Sequence, residues 1–392
     1  MPDKHRSLKY YTLFGFFVIG VITVLLGQVL PILRVRLQLN DAESGLLLSA
    51  QFAGALVGTL VVGRIIRRFG FAFAGLVGLV LIIAGLPGLN LEVFVGCWIG
   101  IFIYGLGIGL TIPAFNLLTI EVTPPEMQSS AVNLLNFAWG VGAICSQPFV
   151  ATVSRGNSVA VVTIILLLAL FVVAICFTSV IRKLHHETSD APGYDSSDRI
   201  WRRRDAWLFL LFSFFVIGVE SGLHGWLTTY SDSLQGAHGP QINATVVFFS
   251  FYVLGRGLAS FVARGVSENK LISICSATLL LGVFLIVMNE SLVLVGSAIA
   301  GLGCSAIFPT NMVRFSKIFG AGATRQATPI FIAGTAGAAA ITSLVGFVSF
   351  RLGDLRWGIA VLLVGAGMVA ILQWIMASVF RDRLSAPNKT IG

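Results

Sequence analysis

The chain has 392 residues, of which 56% are hydrophobic and only 11% charged. Soluble domains carry about 25% charged residues, so this chain cannot cover a water-facing surface and its solvent must be lipid. The formal net charge of +9 does not point to nucleic acid, because the Lys and Arg sit in short loops between apolar runs rather than in a stripe interleaved with exposed aromatics.

A spanning helix needs about twenty mostly apolar residues. By that measure twelve spans are predicted: 10–33, 45–66, 71–91, 93–119, 129–153, 159–181, 206–231, 243–264, 271–289, 291–313, 325–350 and 357–380. Basic residues precede the first apolar run, as in a signal peptide, but Tyr10 to Leu33 is too long for an h-region and more spans follow. It reads as an uncleaved first helix. Cys97, Cys145, Cys176, Cys275 and Cys304 all lie in apolar segments and read as small buried hydrophobes. Asn243-Ala-Thr245, at the start of the eighth span, fits a glycosylation acceptor.

The longest polar stretch, Arg182 to Asp205, carries Asp, Ser and Pro and the cluster Arg202, Arg203 and Arg204. It divides the chain into two six-span halves, 1–181 and 206–392, joined by a linker at 182–205 that the anionic lipid surface would hold. An even number of spans puts both termini on one side. Twenty of the 26 Lys and Arg fall on that side, Arg314 and Lys317 among them. The opposite loops hold only Arg34, Arg36, Arg155, Arg351 and Arg356, and Arg256 lies inside a span. The excess marks the cytoplasmic face, so both termini are expected there, in a bacterial plasma (inner) membrane.

The fourth span contains Gly105-Leu106-Gly107 and continues to Pro113; the tenth contains Gly301-Leu302-Gly303 and continues to Pro309. Each position is offset by 196 residues, half the chain, and falls on the same ordinal helix of each half. The expected fold is therefore an all-α membrane protein of twelve transmembrane helices in two pseudo-symmetric six-helix bundles. Parallel repeats of this kind build a central cavity that can open alternately to either side.

The loop after the second span reads Gly58-Thr-Leu-Val-Val-Gly63-Arg64-Ile-Ile-Arg67-Arg68-Phe69-Gly70. It resembles the signature gating loop of the major facilitator superfamily, and the six-plus-six layout extends the resemblance over the whole chain. One departure is Arg67, which stands where the family usually has an acid. Two further stretches, Gly218-Val-Glu220-Ser-Gly222-Leu-His224-Gly225-Trp226 and Leu134-Leu135-Asn136-Phe137-Ala138-Trp139-Gly140-Val141-Gly142, resemble helices seven and five of the fucose–proton symporter family. The first helix of that family often carries an acid for proton coupling, whereas Gln28 here is polar but cannot carry a proton.

Ionisable groups at mid-membrane are costly and usually mark a pathway or a pair. Glu220 lies about fourteen residues into the seventh span, roughly 21 Å along the helix, and His224 follows at i+4 on the same face. A buried carboxyl beside an imidazole suits a proton acceptor and relay. Arg256, near the middle of the eighth span, is placed to pair with Glu220 through water, to gate, or to bind an anionic solute by its fork. The uncharged polar candidates for solute binding are Gln28, Asn116, Asn133, Asn136, Trp139, Trp226, Tyr230 and Asn311. Amides donate to and accept from hydroxyl groups, while aromatic planes stack on sugar rings, so the set suits a hydroxylated solute. Each amide could equally serve a hydrogen bond between helices.

No P-loop, zinc motif or nucleophile elbow occurs, so neither an enzyme nor an ATP-driven pump is expected. The reading is a proton-coupled symporter for a sugar or related polyhydroxylated solute, working as a monomer on the proton gradient and without a cofactor or metal. The alternatives are a drug or organic-anion antiporter and, from another class, a non-transporting membrane sensor or scaffold.

Overall fold

The computed structural model describes residues 2–121, 123, 128–154, 158–184, 200–234, 243–262, 266–319 and 327–380. Among them are eleven α-helices: α1 (Pro2–Leu37), α2 (Asp41–Gly85), α3 (Phe94–Glu121), α4 (Gln128–Val153), α5 (Ala160–Leu184), α6 (Trp207–Leu234), α7 (Ala244–Val262), α8 (Glu268–Met288), α9 (Val293–Phe319), α10 (Thr328–Leu352) and α11 (Leu355–Val379). Twelve predicted spans become eleven helices because α2 covers the second and third. Its two arms meet at Gly70, whose φ of 84° and ψ of 167° interrupt the helix. A side chain would be strained in that conformation, so glycine ends one arm and starts the next without a long loop. With the arms counted separately, every predicted span coincides with a helix, and the fold is that of an all-α, twelve-span membrane protein.

Local chemistry fixes several helix ends. Asn40 opens α2 with a capping box: its side chain accepts from the Glu43 amide at 2.9 Å, and the Glu43 carboxylate accepts from the Asn40 amide at 3.0 Å. Gly353, at φ 73°, ends α10 in the left-handed conformation, and Asp354 then caps α11 by accepting from the Arg356 amide at 2.8 Å. Asn243 does the same for α7, accepting from the Thr245 amide at 2.8 Å, and is only 7% exposed. That overturns the glycosylation reading, since a buried cap offers no side chain to a glycan.

The described chain divides into two compact units. One comprises 1–194 with 225–236, the other 195–224 with 237–392. In the first, a methyl on Gly105 would lie 2.2 Å from the Gln51 carbonyl oxygen, and one on Gly107 would lie 2.5 Å from that of Gly78. Gly105 thus packs on the first arm of α2 and Gly107 on the second. In the second unit, Gly301 stands against Phe248 of α7 and Gly303 against Leu279 of α8, at 2.3 and 2.4 Å by the same measure. The two glycines of each motif therefore seat one helix against two neighbours, in the same order in both units. The correspondence continues elsewhere: Gly20 and Gly142 bring α1 onto α4, and Gly218 and Gly337 bring α6 onto α10. Small residues at these crossings allow backbones to approach in a setting where apolar burial alone cannot drive helices together.

Arg314 departs from its expected place. Counted with the loop charges at the end of the tenth span, it instead lies within α9 and is fully buried. Its Nη1 donates to Gln373 Oε1 at 2.8 Å and Asn269 Oδ1 at 3.2 Å, and its Nη2 to Asn311 Oδ1 at 2.7 Å. The rings of Phe209 and Phe212 lie 5.6 and 5.5 Å from the guanidinium carbon. Amide oxygens and aromatic faces together replace the water that a buried cation loses.

Candidate functional site

The second unit assembles three of the expected ionisable groups around a residue that sequence reasoning did not single out. Glu220 is half-buried on α6. Tyr252 of α7, 1% exposed, donates its hydroxyl to Glu220 Oε1 at 2.8 Å. Arg256, one turn further along α7, donates from Nη2 to the same tyrosine oxygen, and its guanidinium carbon lies 4.5 Å from the ring centroid. The expected link through water is thus made by a phenol. Oη gives one hydrogen to the carboxylate and receives one from the guanidinium, so a continuous guanidinium–phenol–carboxylate chain crosses from α7 to α6. Arg256 Nε is buried and has no hydrogen-bond partner among the described residues.

His224, one turn beyond Glu220, sets its ring against Phe249, with centroids 5.9 Å apart. Glu220 and His224 on α6 therefore face Tyr252 and Phe249 on α7, and the i, i+4 spacing of one helix meets the i, i+3 spacing of the other. Gly255, beside Arg256, opens the way for α9: a methyl there would sit 2.4 Å from Ser305 Oγ.

The uncharged candidates do not form one cluster. In the first unit Asn136 Nδ2 donates to Asn116 Oδ1 at 3.2 Å, and Asn116 Nδ2 donates to the Ile112 carbonyl at 2.9 Å. These half-buried amides join α4 to α3. Trp139 Nε1 reaches Thr23 Oγ1 at 3.4 Å, and Gln51 Nε2 donates to the Thr23 carbonyl at 2.7 Å. Tyr104 in turn donates to Gln51 Oε1 at 2.6 Å. The chain from Trp139 to Tyr104 thus ties α4, α1, the first arm of α2 and α3 together, and sequence reading found only its first member. Gln28, 4% exposed, accepts from Thr228 Oγ1 at 2.7 Å while its Nε2 has no partner among the described residues. Trp226 and Tyr230 are buried on α6.

Asn311 sits apart, holding Arg314. The side chain of Asn133 lies outside the described residues. In the loop motif, Gly63 is half-buried, Arg64 and Arg67 are exposed, Arg68 lies over the Phe69 ring at 5.2 Å, and Gly70 makes the break in α2.

This architecture defines a multi-span carrier, and comparison with known proteins agrees. Residues 12–328 match the family model of the Major Facilitator Superfamily, and the chain belongs to that family. Among its relatives is a glucose/galactose transporter of Brucella abortus biovar 1 (strain 9-941), 23% identical over 358 residues, which cover 86% of each protein. Another is the glucose/mannose transporter GlcP of Bacillus subtilis (strain 168), 24% identical over 362 residues, or 86% of this chain and 87% of GlcP. The crystal structure of FucP, a Major Facilitator Superfamily transporter in the outward conformation, superposes with a TM-score of 0.63 at 16% identity, over 93% of this chain and 97% of FucP. The protein is an integral membrane transporter and not an enzyme.

Proposed function

We propose that this transporter moves a sugar or related polyhydroxylated solute by proton-coupled symport, with Glu220 as the coupling carboxyl. The halves 1–181 and 206–392 would alternate access around the solute, joined by the linker at 182–205, with both termini in the cytoplasm of a bacterial cell. The reading is carried by one observation: a carboxyl inside a membrane helix is tied to a neighbouring helix through Tyr252 and Arg256. With Glu220 ionised, the tyrosine hydroxyl and the arginine compensate its charge. A proton on Glu220 removes that charge and weakens the Tyr252 bond from a charge-assisted one to a neutral one. Proton uptake then changes the energy of the contact between α6 and α7, which is what coupling requires. His224 stands one turn along, and imidazole is a suitable relay.

The sugar assignment draws on the amide and indole groups of the first unit, Asn116, Asn136 and Trp139, and on the relatives named for glucose, galactose and mannose. Amides read hydroxyl groups, and an indole plane stacks on a sugar ring. The test is uptake into proteoliposomes of labelled glucose, galactose, mannose and fucose, with and without an inward proton gradient. Glu220→Gln should abolish gradient-driven accumulation and leave counterflow exchange in place. Undiminished accumulation in that variant sinks the role of Glu220.

The unpartnered Nε of Arg256 favours a second reading, organic-anion exchange, because a planar fork with a free donor suits a carboxylate. Including organic acids in the same panel separates the two. Anion uptake that tracks Arg256 and ignores the proton gradient would replace the symport reading.

A further inference from the structure

The approach to α6 carries three consecutive arginines, and the structure gives them different employment. Residues Ile200–Arg202 and Arg204–Ala206 form two short 3-10 turns before α6 begins at Trp207. Arg203 is engaged: Nε and Nη2 bond the two oxygens of Asp205 at 3.1 and 2.7 Å, and its guanidinium carbon lies 4.9 Å from the Phe319 ring centroid. That pairing also takes up Asp205, the acid nearest the cluster. Arg202 and Arg204 are exposed and make no hydrogen bond or ion pair among the described residues.

What lies beside them is apolar. Trp207 is 59% exposed, and its Nε1 donates to the Trp201 carbonyl at 3.1 Å, so its one polar atom is satisfied while the ring faces outward. Leu211, 44% exposed, follows one turn on. Trp207 and Leu211 stand at i and i+4 on one face of α6, and Arg204 lies in the 3-10 turn that leads into it, so the approach passes from cation to indole to aliphatic side chain. Trp201 stacks on Phe315 of α9 with centroids 5.8 Å apart, which anchors the turn to the bundle.

We propose that Arg202 and Arg204, with Trp207 and Leu211, bind an anionic phospholipid. The two guanidinium forks take the headgroup phosphate, the indole sits at the level of the glycerol ester, and the leucine side of α6 lies along an acyl chain. Complementary charge selects the occupant: two free cations at the end of a membrane helix, with the neighbouring acid already neutralised. Arg203 is no part of the site. This inference does not depend on which solute is carried or on proton coupling.

The test uses the full chain, purified and studied by native mass spectrometry with phosphatidylglycerol and phosphatidylcholine of matched acyl chains. Wild type should retain phosphatidylglycerol in preference. Each basic side chain near an anionic surface contributes an amount equivalent to about five-fold in affinity, so Arg202→Gln with Arg204→Gln should cut retention by at least about ten-fold. As a control, Arg203→Gln combined with Asp205→Asn, which removes the pair without freeing the acid, should change it little. Equal retention of the two lipids, an unaltered Arg202/Arg204 double variant, or an equal loss in the control would each overturn the site. Displacement of the lipid by millimolar inorganic phosphate would also overturn it, in favour of a free-anion site. Should the double variant misfold, wild type still decides the matter: its phosphatidylglycerol retention must fall as salt rises, and retention indifferent to salt refutes the assignment.

Discussion

Tyr252 gives a phenol a task that direct contact between Glu220 and Arg256 would perform differently. A carboxylate and guanidinium in contact form a strong, often bidentate pair that resists protonation. Through the tyrosine hydroxyl, each charge is compensated by one bond, and the carboxylate keeps a free oxygen for a proton. Tyr252→Phe removes both bonds and leaves two charged groups short of a partner, at a cost of about 1–3 kcal/mol. Glu220→Gln should cost less, because the amide oxygen still accepts from Tyr252. Thermal unfolding of the detergent-solubilised protein compares them, and a phenylalanine variant as stable as wild type would mean the bridge is not made in solution. Glu220, His224 and Arg256 were legible because charge is rare in a membrane span. Tyr252 was not, being one aromatic among many, although its place four residues before Arg256 on the same helix face was an available signal. Arg314 misled for the opposite reason: an arginine at the end of an apolar run reads as a surface charge. Only the convergence of Asn269, Asn311 and Gln373 from three helices makes it a core residue.

At the scale of the helix, glycine decides how closely neighbours approach. A methyl on Gly105 or Gly301 would meet backbone oxygens, those of Gln51 and Phe248, at 2.2 and 2.3 Å. Backbone cannot rotate aside as a side chain can, so α3 or α9 must shift bodily. Gly105→Ala and Gly301→Ala are each expected to destabilise by about 1–3 kcal/mol, the usual cost of overpacking. Gly367 of α11 supplies the contrast: nothing lies within 4 Å of an added methyl, and alanine there should be neutral or stabilising by about 0.5–1 kcal/mol. Parallel melting curves of the three variants check this, and equal midpoints would show that the close crossings carry no stability. Apolar runs of twenty residues were enough to locate every helix, since the bilayer leaves the backbone few other ways to satisfy its hydrogen bonds. They could not reveal that the second and third spans join with only Gly70 between them, because a polar, arginine-rich stretch looks the same whether it is a loop or an exposed turn of helix.

Across the whole molecule, the distribution of cations sets the expected orientation, and the structure explains most of the exceptions to it. Of the five arginines on the sparsely charged side, Arg34 pairs with Asp41, Arg36 donates to the carbonyls of Leu89 and Leu91, and Arg356 donates to those of Val287 and Met288 at 2.7 and 3.0 Å. Arg36 and Arg356 cap the chain where the second arm of α2 and its counterpart α8 come to an end, so these charges are held by local structure. On the other side Arg64, Arg67, Arg68, Arg202 and Arg204 are exposed, whereas Arg314 is buried. The expectation of cytoplasmic termini therefore rests on the count, with Arg34, Arg36 and Arg356 on the sparsely charged side each held by a local partner. Single cysteines placed in a variant lacking the five native ones test the orientation directly. At the exposed positions Glu92 and Glu290, cysteine should react with a membrane-impermeant maleimide in intact cells. At the exposed positions Arg68 and Lys270, it should react only after permeabilisation. The reverse pattern would invert the molecule in the membrane, moving the linker and the exposed arginines at the start of α6 to the outer face.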